Sequence, residues 1–256
     1  MIIPDTNIKE FLEERVEKYN HPRFIESDPI CIPHKYRQKE DIEISGFLTS
    51  VIAWGNRRMI IRNAVCMMEI MGNSPYDFVM NHNIFQLERF NGFVHRTFNG
   101  TDAKYFITAL KNLYVNHEGP EKIFSRYSTE YSTQPAIHEF RRIFFSSGHP
   151  PRTTRHLPDP LKKSAAKRIN MFLRWMVRRD SRGVDFGLWR SISPSVLSCP
   201  LDVHTGNTAR KLGLIRRKQN DSIAVSELDS ILRKFDNNDP VKYDFALFGL
   251  GAIEKM

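Results

Sequence analysis

Apolar side chains recur every three or four positions along most of this chain, with polar side chains between them. That spacing gathers the apolar residues on one face of an α-helix, so each such stretch predicts an amphipathic helix. No stretch shows a strong alternation of apolar and polar residues, and the chain contains no internal repeat. We therefore predict an all-α fold. The predicted helices cover residues 8–19, 41–54, 57–71, 74–83, 101–116, 120–127, 137–145, 164–179 and 226–235, with a last helix opened by Asp239 as cap and Pro240.

A further short helix is predicted between Cys199 and Leu214. Asp202 stands where an N-cap side chain accepts hydrogen bonds from the first free backbone N–H groups of a helix. Gly213 is placed to end that helix in a left-handed conformation, and Ala209 and Leu212 lie on one face. On this pattern alone, Asp202 has either a capping role only or a chemical role as well.

The basic residues of the chain are concentrated near this short helix. The net charge is +9. From Arg152 to Arg182 there are ten Lys and Arg residues against two Asp, and the stretch from Arg210 to Lys218 adds five basic residues and no acid. Such a band is typical of a protein that binds a phosphate backbone. The alternative is a solvated basic face.

Length and composition narrow the class of protein. With 256 residues, the chain is long enough for one large domain or two lobes. Its three cysteines are far apart, which argues against a disulfide framework and favours a reducing, cytoplasmic environment. No apolar run approaches the length of a membrane span and the start of the chain lacks a signal-peptide pattern, so we expect no membrane partner.

The short helix resembles a known segment. Residues 200–205, Pro-Leu-Asp-Val-His-Thr, followed by Ala-Arg-Lys-Leu-Gly-Leu at 209–214, are similar to the aspartate segment of the helix-hairpin-helix DNA glycosylases. Endonuclease III and the archaeal 8-oxoguanine glycosylases belong to that superfamily. The resemblance implies that Asp202 assists attack on the sugar of a damaged nucleotide in double-stranded DNA. Oxidised guanine is the first base to test.

The resemblance also implies an architecture. It extends from about Ile44 to Met256 and includes a likeness of residues 243–251 to the closing helix of the superfamily. We expect two helical lobes with a basic cleft between them. One lobe would contain residues 44–182, and the other would combine residues 1–43 with 183–256, so that Lys167 and Asp202 would meet from different lobes.

A glycosylase that also cleaves the DNA strand uses an amine, which attacks the sugar carbon and forms a Schiff base. In the superfamily this lysine begins a helix upstream of the aspartate. Lys162, Lys163 and Lys167 compete for that role, and we favour Lys167 because it stands in the first turn of the helix predicted over 164–179. The positive end of a helix disfavours a second positive charge, which favours the free amine.

Other residues are expected to contact DNA. The early hairpin of the superfamily carries a polar turn residue that enters the space left by a flipped base, and Asn56 stands there with Arg57 and Arg58 behind it. The alternative for Asn56 is a helix-terminating role. Three tryptophans are either core residues or candidates to stack on the flipped base: Trp54, Trp175 and Trp189. The remaining predicted nucleic-acid contacts are Arg152, Arg155, Lys162, Lys163, Arg168, His204 and Arg210.

Two features of the superfamily are missing. The Gly-x-Gly turn that presents backbone N–H groups to a phosphate is replaced by residues 160–166. The C-terminal four-cysteine cluster is absent, which indicates a bacterial-type branch without the iron–sulfur cluster, and we expect no cofactor. Cys199, His204 and His156 match no zinc spacing, so we predict no structural metal.

The leading hypothesis is a base-excision DNA glycosylase, with AP-lyase activity as a further possibility. The first alternative is a non-catalytic nucleic-acid-binding protein on the same scaffold. The second is a helical protein-interaction module whose basic face binds an acidic partner. The sequence leaves the oligomeric state open.

Overall fold

The structure, a computed structural model, describes residues 8–256. This part of the chain is mostly helical, which confirms the predicted all-α class. Two short strands, β1 (Val94–His95) and β2 (Phe98–Asn99), form an antiparallel hairpin. In chain order the α-helices are α1 (Ile8–Tyr19), α2 (Arg23–Ser27), α3 (Lys39–Val51), α4 (Arg57–Ile70), α5 (Pro75–Asn81), α6 (Ile84–Glu88), α7 (Gly100–His117), α8 (Pro120–Tyr127), α9 (Gln134–Phe144), α10 (Lys167–Val177), α11 (Val203–Lys211), α12 (Ser222–Phe235) and α13 (Tyr243–Phe248).

Packing divides the described residues into two units. Unit 1 contains residues 8–24, 128–138 and 159–256, and unit 2 contains residues 25–127 and 139–158. These limits differ from the predicted lobes, because residues 159–182 pack with the C-terminal part of the chain and residues 25–43 with the middle. Residues 1–7, which the prediction assigned to the second lobe, lie outside the described part.

Unit 2 is built around aromatic side chains. The backbone N–H of Asn99 donates to Asp102 Oδ2 at 3.0 Å, and the N–H of Asp102 donates to Asn99 Oδ1 at 3.4 Å. This capping box starts α7 directly after the β-hairpin. Further along α7, the ring of Phe106 lies 4.8 Å from that of Phe144 and 6.0 Å from that of Phe47, measured between centroids.

Unit 1 encloses a second core. Asp221 caps α12, because its Oδ1 accepts hydrogen bonds from the backbone N–H groups of Ile223 and Ala224, both at 3.1 Å. Helices α1 and α11 both pack against α13. The apolar side chains of this core come from all four helices and the segment before α11, and include Leu12, Val16, Leu201, Ala209, Leu228, Tyr243 and Leu247.

Unit 1 also buries charged side chains. On α10, Arg174 Nε lies 3.3 Å from Asp185 Oδ1, and Arg178 Nη1 lies 3.1 Å from Asp185 Oδ2. Arg178 Nε lies 3.0 Å from Asp239 Oδ2. Arg174 also forms an ion pair with Asp244 on α13. We call these five residues the buried ion network.

The predicted helices agree with the observed ones to within a few residues, with three instructive differences. Helix α10 begins at Lys167 rather than at 164, and α12 begins at Ser222 rather than at 226. The segment 85–98, whose pattern predicted no element, contains most of α6 and the start of the β-hairpin. Asp239 does not cap the last helix, because its carboxylate binds Arg178 instead.

Within residues 8–256, no helix combines the length and the apolar composition that a membrane span requires.

Candidate active site

Lys167 is positioned by a tight loop that ends in the first turn of α10. Lys163 and Ala166 both adopt left-handed conformations, with φ of 67° and 46°. Such conformations are uncommon for residues with a Cβ, so the surrounding contacts must hold them in place. The backbone N–H of Ala166 donates to Ser164 Oγ at 3.1 Å, and Asn170 Nδ2 donates to the carbonyl of Ala165 at 3.0 Å. The loop therefore delivers Lys167 as the first residue of the helix.

Asp202 performs the predicted capping role at α11. Its Oδ1 accepts hydrogen bonds from the backbone N–H groups of His204 at 2.9 Å and Thr205 at 3.0 Å. Gly213 has a φ of 73°, as predicted for the residue that ends this helix. Since one carboxylate oxygen satisfies the cap, the other remains available to a second group.

That second group is Lys167. Its Nζ lies 3.8 Å from Asp202 Oδ2, and the two side chains are 27% and 25% exposed. Both residues belong to unit 1, whereas the sequence led us to expect them in different lobes. The amine and the carboxylate are thus adjacent, partly accessible and placed at the N-terminal ends of two helices. Capping and contact with the amine are compatible roles for Asp202.

A buried acid acts electrostatically on this pair. Burial raises the pKa of Asp244 to about 6, although the neighbouring Arg174 guanidinium opposes this rise. The charges of Asp202 and Lys167 also influence its ionisation, in opposite directions. Arg174 lies two turns after Lys167 on the same face of α10, so the helix that presents the amine also carries the partner of Asp244.

Cys199 is the thiol nearest to this region and is unsuited to nucleophilic work. It is fully buried, its Sγ lies 4.0 Å from Asp244 Oδ1, and burial raises its pKa well above the usual range. A thiol with a raised pKa is held in its unreactive protonated form. Among residues 8–256, no cluster of three His, Cys, Asp or Glu side chains is arranged to hold a metal ion.

The other basic residues of unit 1 that were predicted to contact DNA differ in their surroundings. Lys162, Lys163 and His204 are exposed. Arg168 is half-buried, and burial lowers its pKa to about 10. Arg210 donates from Nε to the carbonyl of Arg217 at 2.8 Å. Of the three competing lysines, Lys167 is the one that the fold places beside Asp202.

The prediction of one basic band from Arg152 to Arg182 needs correction. The boundary between the units falls at residues 158 and 159, so the first two arginines belong to unit 2. Arg174 and Arg178 are only 3% and 2% exposed and belong to the buried ion network. A count of charges overestimated the accessible basic surface, because these two arginines are paired with Asp185, Asp239 and Asp244, which lie beyond the counted stretch.

The remaining residues that were predicted to contact DNA belong to unit 2 and lie around the turn between α3 and α4. Asn56 is the N-cap of α4, because its Oδ1 accepts a hydrogen bond from the backbone N–H of Met59 at 3.2 Å. Arg152 Nη2 donates to the carbonyl of Thr97 in the β-hairpin at 2.7 Å. Arg58 and Arg155 are exposed and Arg57 is half-buried.

The structure adds residues that the sequence did not indicate. Arg96, at the tip of the hairpin, packs against Gly55, where an added Cβ would lie 2.8 Å from its Nη1. Trp54 is partly exposed, and its ring stacks on that of His156 at 5.9 Å. We call the side chains of Trp54, Asn56, Arg57, Arg58, Arg96, Arg152 and Arg155 the arginine surface. By contrast, Trp175 and Trp189 are fully buried and cannot stack on a base.

The residues that the sequence analysis missed differ in whether the sequence contains a signal for them. Arg96 is a single basic residue in a segment without a clear period, and nothing in the sequence marks it. Asp244 left a signal, because it is the one charged residue in the otherwise apolar run from Tyr243 to Gly251. A lone carboxylate in such a run indicates a buried partner, since an unpaired buried charge is costly.

A family model described as "Protein of unknown function (DUF2400)" matches residues 28–253, which is most of the chain. The chain belongs to this family. The region matched to DUF2400 includes Lys167, Asp202, the buried ion network and the arginine surface. Searches of curated proteins and of solved structures returned no match.

Proposed function

We propose that this DUF2400 protein is a base-excision DNA glycosylase with lyase activity, in which Lys167 is the nucleophile and Asp202 its partner. The observation that carries the proposal is the 3.8 Å distance between Lys167 Nζ and Asp202 Oδ2 at two helix N-termini, with both side chains partly exposed. An amine with an adjacent proton acceptor is the arrangement that amine nucleophiles require. The resemblance of residues 200–214 to the aspartate segment of the glycosylases supports the same reaction.

The proposed reaction begins with a damaged base flipped out of the duplex. Asp202 Oδ2 takes a proton from the Lys167 ammonium, and the free amine attacks C1′ of the nucleotide. The C–N bond to the base breaks with its electron pair going to the base, and Asp202 passes to the base the proton that it took from Lys167. As it gives up this proton, Asp202 regains its negative charge, which stabilises the positive charge that develops on the sugar. The sugar ring then opens, with O4′ taking a proton from the attached nitrogen, to give a Schiff base between Lys167 and C1′, from which strand cleavage by elimination follows.

Each unit by itself carries basic side chains suited to binding a phosphate backbone. Arginine suits this purpose because its planar guanidinium can hydrogen-bond two phosphate oxygens at once. In unit 2 the arginine surface supplies such groups around Trp54. In unit 1, Lys162, Lys163 and His204 are exposed close in sequence to Lys167 or Asp202.

The test is covalent trapping with borohydride, which reduces a Schiff base to a stable protein–DNA adduct. Duplexes containing oxidised guanine, oxidised pyrimidines, uracil or an abasic site are each incubated with the protein. We expect an adduct on at least one substrate and its loss in Lys167→Ala. Lys162→Ala, which removes an exposed lysine from the same loop, is the matched control and should trap normally. Both variants should bind duplex DNA with nearly unchanged affinity, because one phosphate contact among many is a small loss.

Asp202→Asn separates the two roles of the aspartate. Asparagine is itself a good N-cap, so a residue that only caps α11 should tolerate the change. A residue that stabilises charge on the sugar should not, and we expect trapping to slow by roughly a hundredfold with DNA affinity retained.

The second candidate function is a non-catalytic nucleic-acid-binding protein. It is favoured by the 3.8 Å contact between Lys167 Nζ and Asp202 Oδ2, since an ion pair that joins two helix N-termini can have a structural role alone. Wild-type protein that binds DNA with a steep salt dependence, yet releases no base and traps no adduct on any substrate, would establish this alternative.

A further inference from the structure

One short segment, residues 220–222, touches both loops of the candidate active site. On one side, Asn220 Nδ2 donates a hydrogen bond to the backbone carbonyl of Asp202 at 2.9 Å. On the other side, Asp221 forms an antiparallel backbone bridge with Ser164, and the N–H of Ser222 donates to the carbonyl of Lys163 at 3.3 Å. The segment therefore connects the residue that caps α11 with the loop that delivers Lys167.

The amide of Asn220 is held in one orientation. Arg210 Nη2 donates to Asn220 Oδ1 at 2.5 Å, while Arg210 Nε donates to the carbonyl of Arg217 at 2.8 Å. An arginine has only donors, so the atom that faces it must be the amide oxygen. The NH2 group of Asn220 consequently points at the Asp202 carbonyl.

Contacts of Asp221 also hold the segment in place. Asp221 caps α12 through Oδ1, and its carboxylate forms an ion pair with Arg217. The first turn of α11 leaves room for the Asn220 amide, because position 206 is a glycine. A Cβ added at Gly206 would lie 2.5 Å from Asn220 Oδ1 and 3.0 Å from Arg210 Nη1. Any larger residue at this position must displace the amide.

We propose that Asn220 is a positioning residue that sets the distance between Lys167 and Asp202, with Arg210 orienting its amide and Gly206 admitting it. The proposal rests on the proposed function, because it assigns Asn220 to the same site. Asn220 reaches the backbone of Asp202, and the residues that follow it hold the backbone before Lys167. Loss of its hydrogen bond frees the Asp202 loop to move relative to the Lys167 loop.

The first test measures the amine and needs no enzymatic activity. The full-length protein is labelled with a trace of acetic anhydride near neutral pH, and mass spectrometry compares acetylation of Lys167 with that of the exposed Lys234. In Asn220→Ala, Lys167 Nζ loses its contact with Asp202, and we expect its relative reactivity to rise roughly two- to fivefold, as for the loss of a partly exposed ion pair. Gln219→Ala, an exposed neighbour in the same loop, is the control and should leave the ratio unchanged.

Two further variants disrupt the same hydrogen bond between Asn220 and the Asp202 carbonyl in different ways. Gly206→Ala displaces the amide and should reproduce the effect of Asn220→Ala. Asn220→Leu keeps a similar side-chain volume but removes the donor without adding a charge, so it should also raise the reactivity of Lys167. If Asn220→Ala fails to fold, as judged by circular dichroism, Asn220→Leu decides the question in its place.

The second test uses borohydride trapping under single-turnover conditions. We expect Asn220→Ala to slow adduct formation by roughly tenfold, with a half-saturating DNA concentration within twofold of that of the wild type, a split that general loss of structure would not produce. An unchanged Lys167 reactivity in a folded Asn220 variant overturns the proposal. A changed reactivity, together with wild-type protein that traps no adduct, leaves the positioning role standing and overturns the glycosylase function alone.

Discussion

Both units have an apolar core, but unit 2 is rich in packed phenylalanine rings and unit 1 adds the buried ion network. In unit 2, phenylalanine rings from three helices pack on one another, as in the pairs Phe124–Phe140 at 4.7 Å and Phe47–Phe140 at 5.6 Å between centroids. In unit 1, Arg174 on α10 and Arg178 directly after it belong to the buried ion network. Apolar packing is non-directional, whereas an ion pair requires each partner at a fixed place.

The difference bears on the candidate active site. Lys167 begins α10, which carries Arg174 and is directly followed by Arg178, and the ion pairs of these two arginines fix the position of that helix. Asp244, in the same network, lies on α13, against which α11 packs. We infer that directional contacts in unit 1 maintain the spacing of Lys167 and Asp202, while unit 2 is stabilised chiefly by apolar burial. The two interiors should therefore respond differently to mutation and to pH.

The largest effect is expected from the core of unit 2. Phe106→Ala removes a fully buried ring and leaves a cavity, which should lower the free energy of unfolding by about 4 kcal/mol. This loss of unfolding free energy should be the same at pH 5 and pH 7, because the neighbours of the ring described above, Phe47 and Phe144, are uncharged. Urea denaturation at the two pH values measures it, and a loss that changes with pH would contradict the apolar account of this core.

Arg174→Met tests the buried ion network of unit 1. Removing one partner of a buried ion pair leaves a carboxylate without its countercharge, which should cost about 3 kcal/mol at pH 7. The cost should be smaller at pH 5, since burial raises the pKa of Asp244 to about 6 and the acid can then take up a proton. Equal losses of unfolding free energy at both pH values would show that the ionisation of Asp244 does not determine the stability of this interior.

Asp229 provides a milder test of pH dependence. Burial raises its pKa to about 6, against the hydrogen bond that its Oδ1 accepts from the backbone N–H of Cys199. An unfolded aspartate has a pKa of about 3.9, so between these values the folded protein holds a proton that the unfolded chain releases. Stability should therefore fall as the pH rises from about 4 to 7, after which it becomes constant.

Asp229→Asn removes that titration and keeps an oxygen to accept the Cys199 hydrogen bond. We expect the decline in unfolding free energy between pH 5 and pH 7 to shrink by about 1 to 2 kcal/mol. Denaturation curves of both proteins at half-unit steps of pH give the comparison. A variant with the full wild-type decline would assign the pH dependence to another group.

The smallest effect concerns the arginine surface. Arg96→Ala should leave stability unchanged and weaken binding of duplex DNA several-fold, while the slope of log affinity against log salt falls by about one. Arg126→Ala, which removes an exposed arginine from α8 of the same unit, is the matched control. Equal behaviour of the two variants in fluorescence anisotropy titrations would show that the arginine surface does not contact phosphate.

The sequence predicted those features that depend on local chemistry. The helix predicted over 57–71 is observed as Arg57–Ile70, because its apolar period of 3.6 residues is uninterrupted. The cap at Asp202 and the left-handed Gly213 follow from side-chain preferences that act over a few residues. The choice of Lys167 depended on its place at the start of a helix, and the structure puts it beside Asp202.

Features that depend on distant residues could not be predicted in the same way. Arg174 and Arg178 looked like part of a basic band, because Asp239 and Asp244 stand more than sixty positions away. Ala166 gave no sign of a left-handed conformation, which the contacts of its loop impose. The role of Asn220 depends on contacts with two loops that precede it by many residues, and the two-residue strands are too short to show any period.

The order in which the chain is synthesised gives the arrangement of unit 1 a biological consequence. Helix α1 is synthesised before unit 2, but it packs against α13, which is synthesised after unit 2. Most of unit 2 emerges as one continuous segment and can fold during synthesis. Until residue 243 has been synthesised, a nascent chain therefore exposes the apolar face of α1, including Leu12 and Val16. We expect chaperones that bind exposed apolar helices to recognise this face during synthesis.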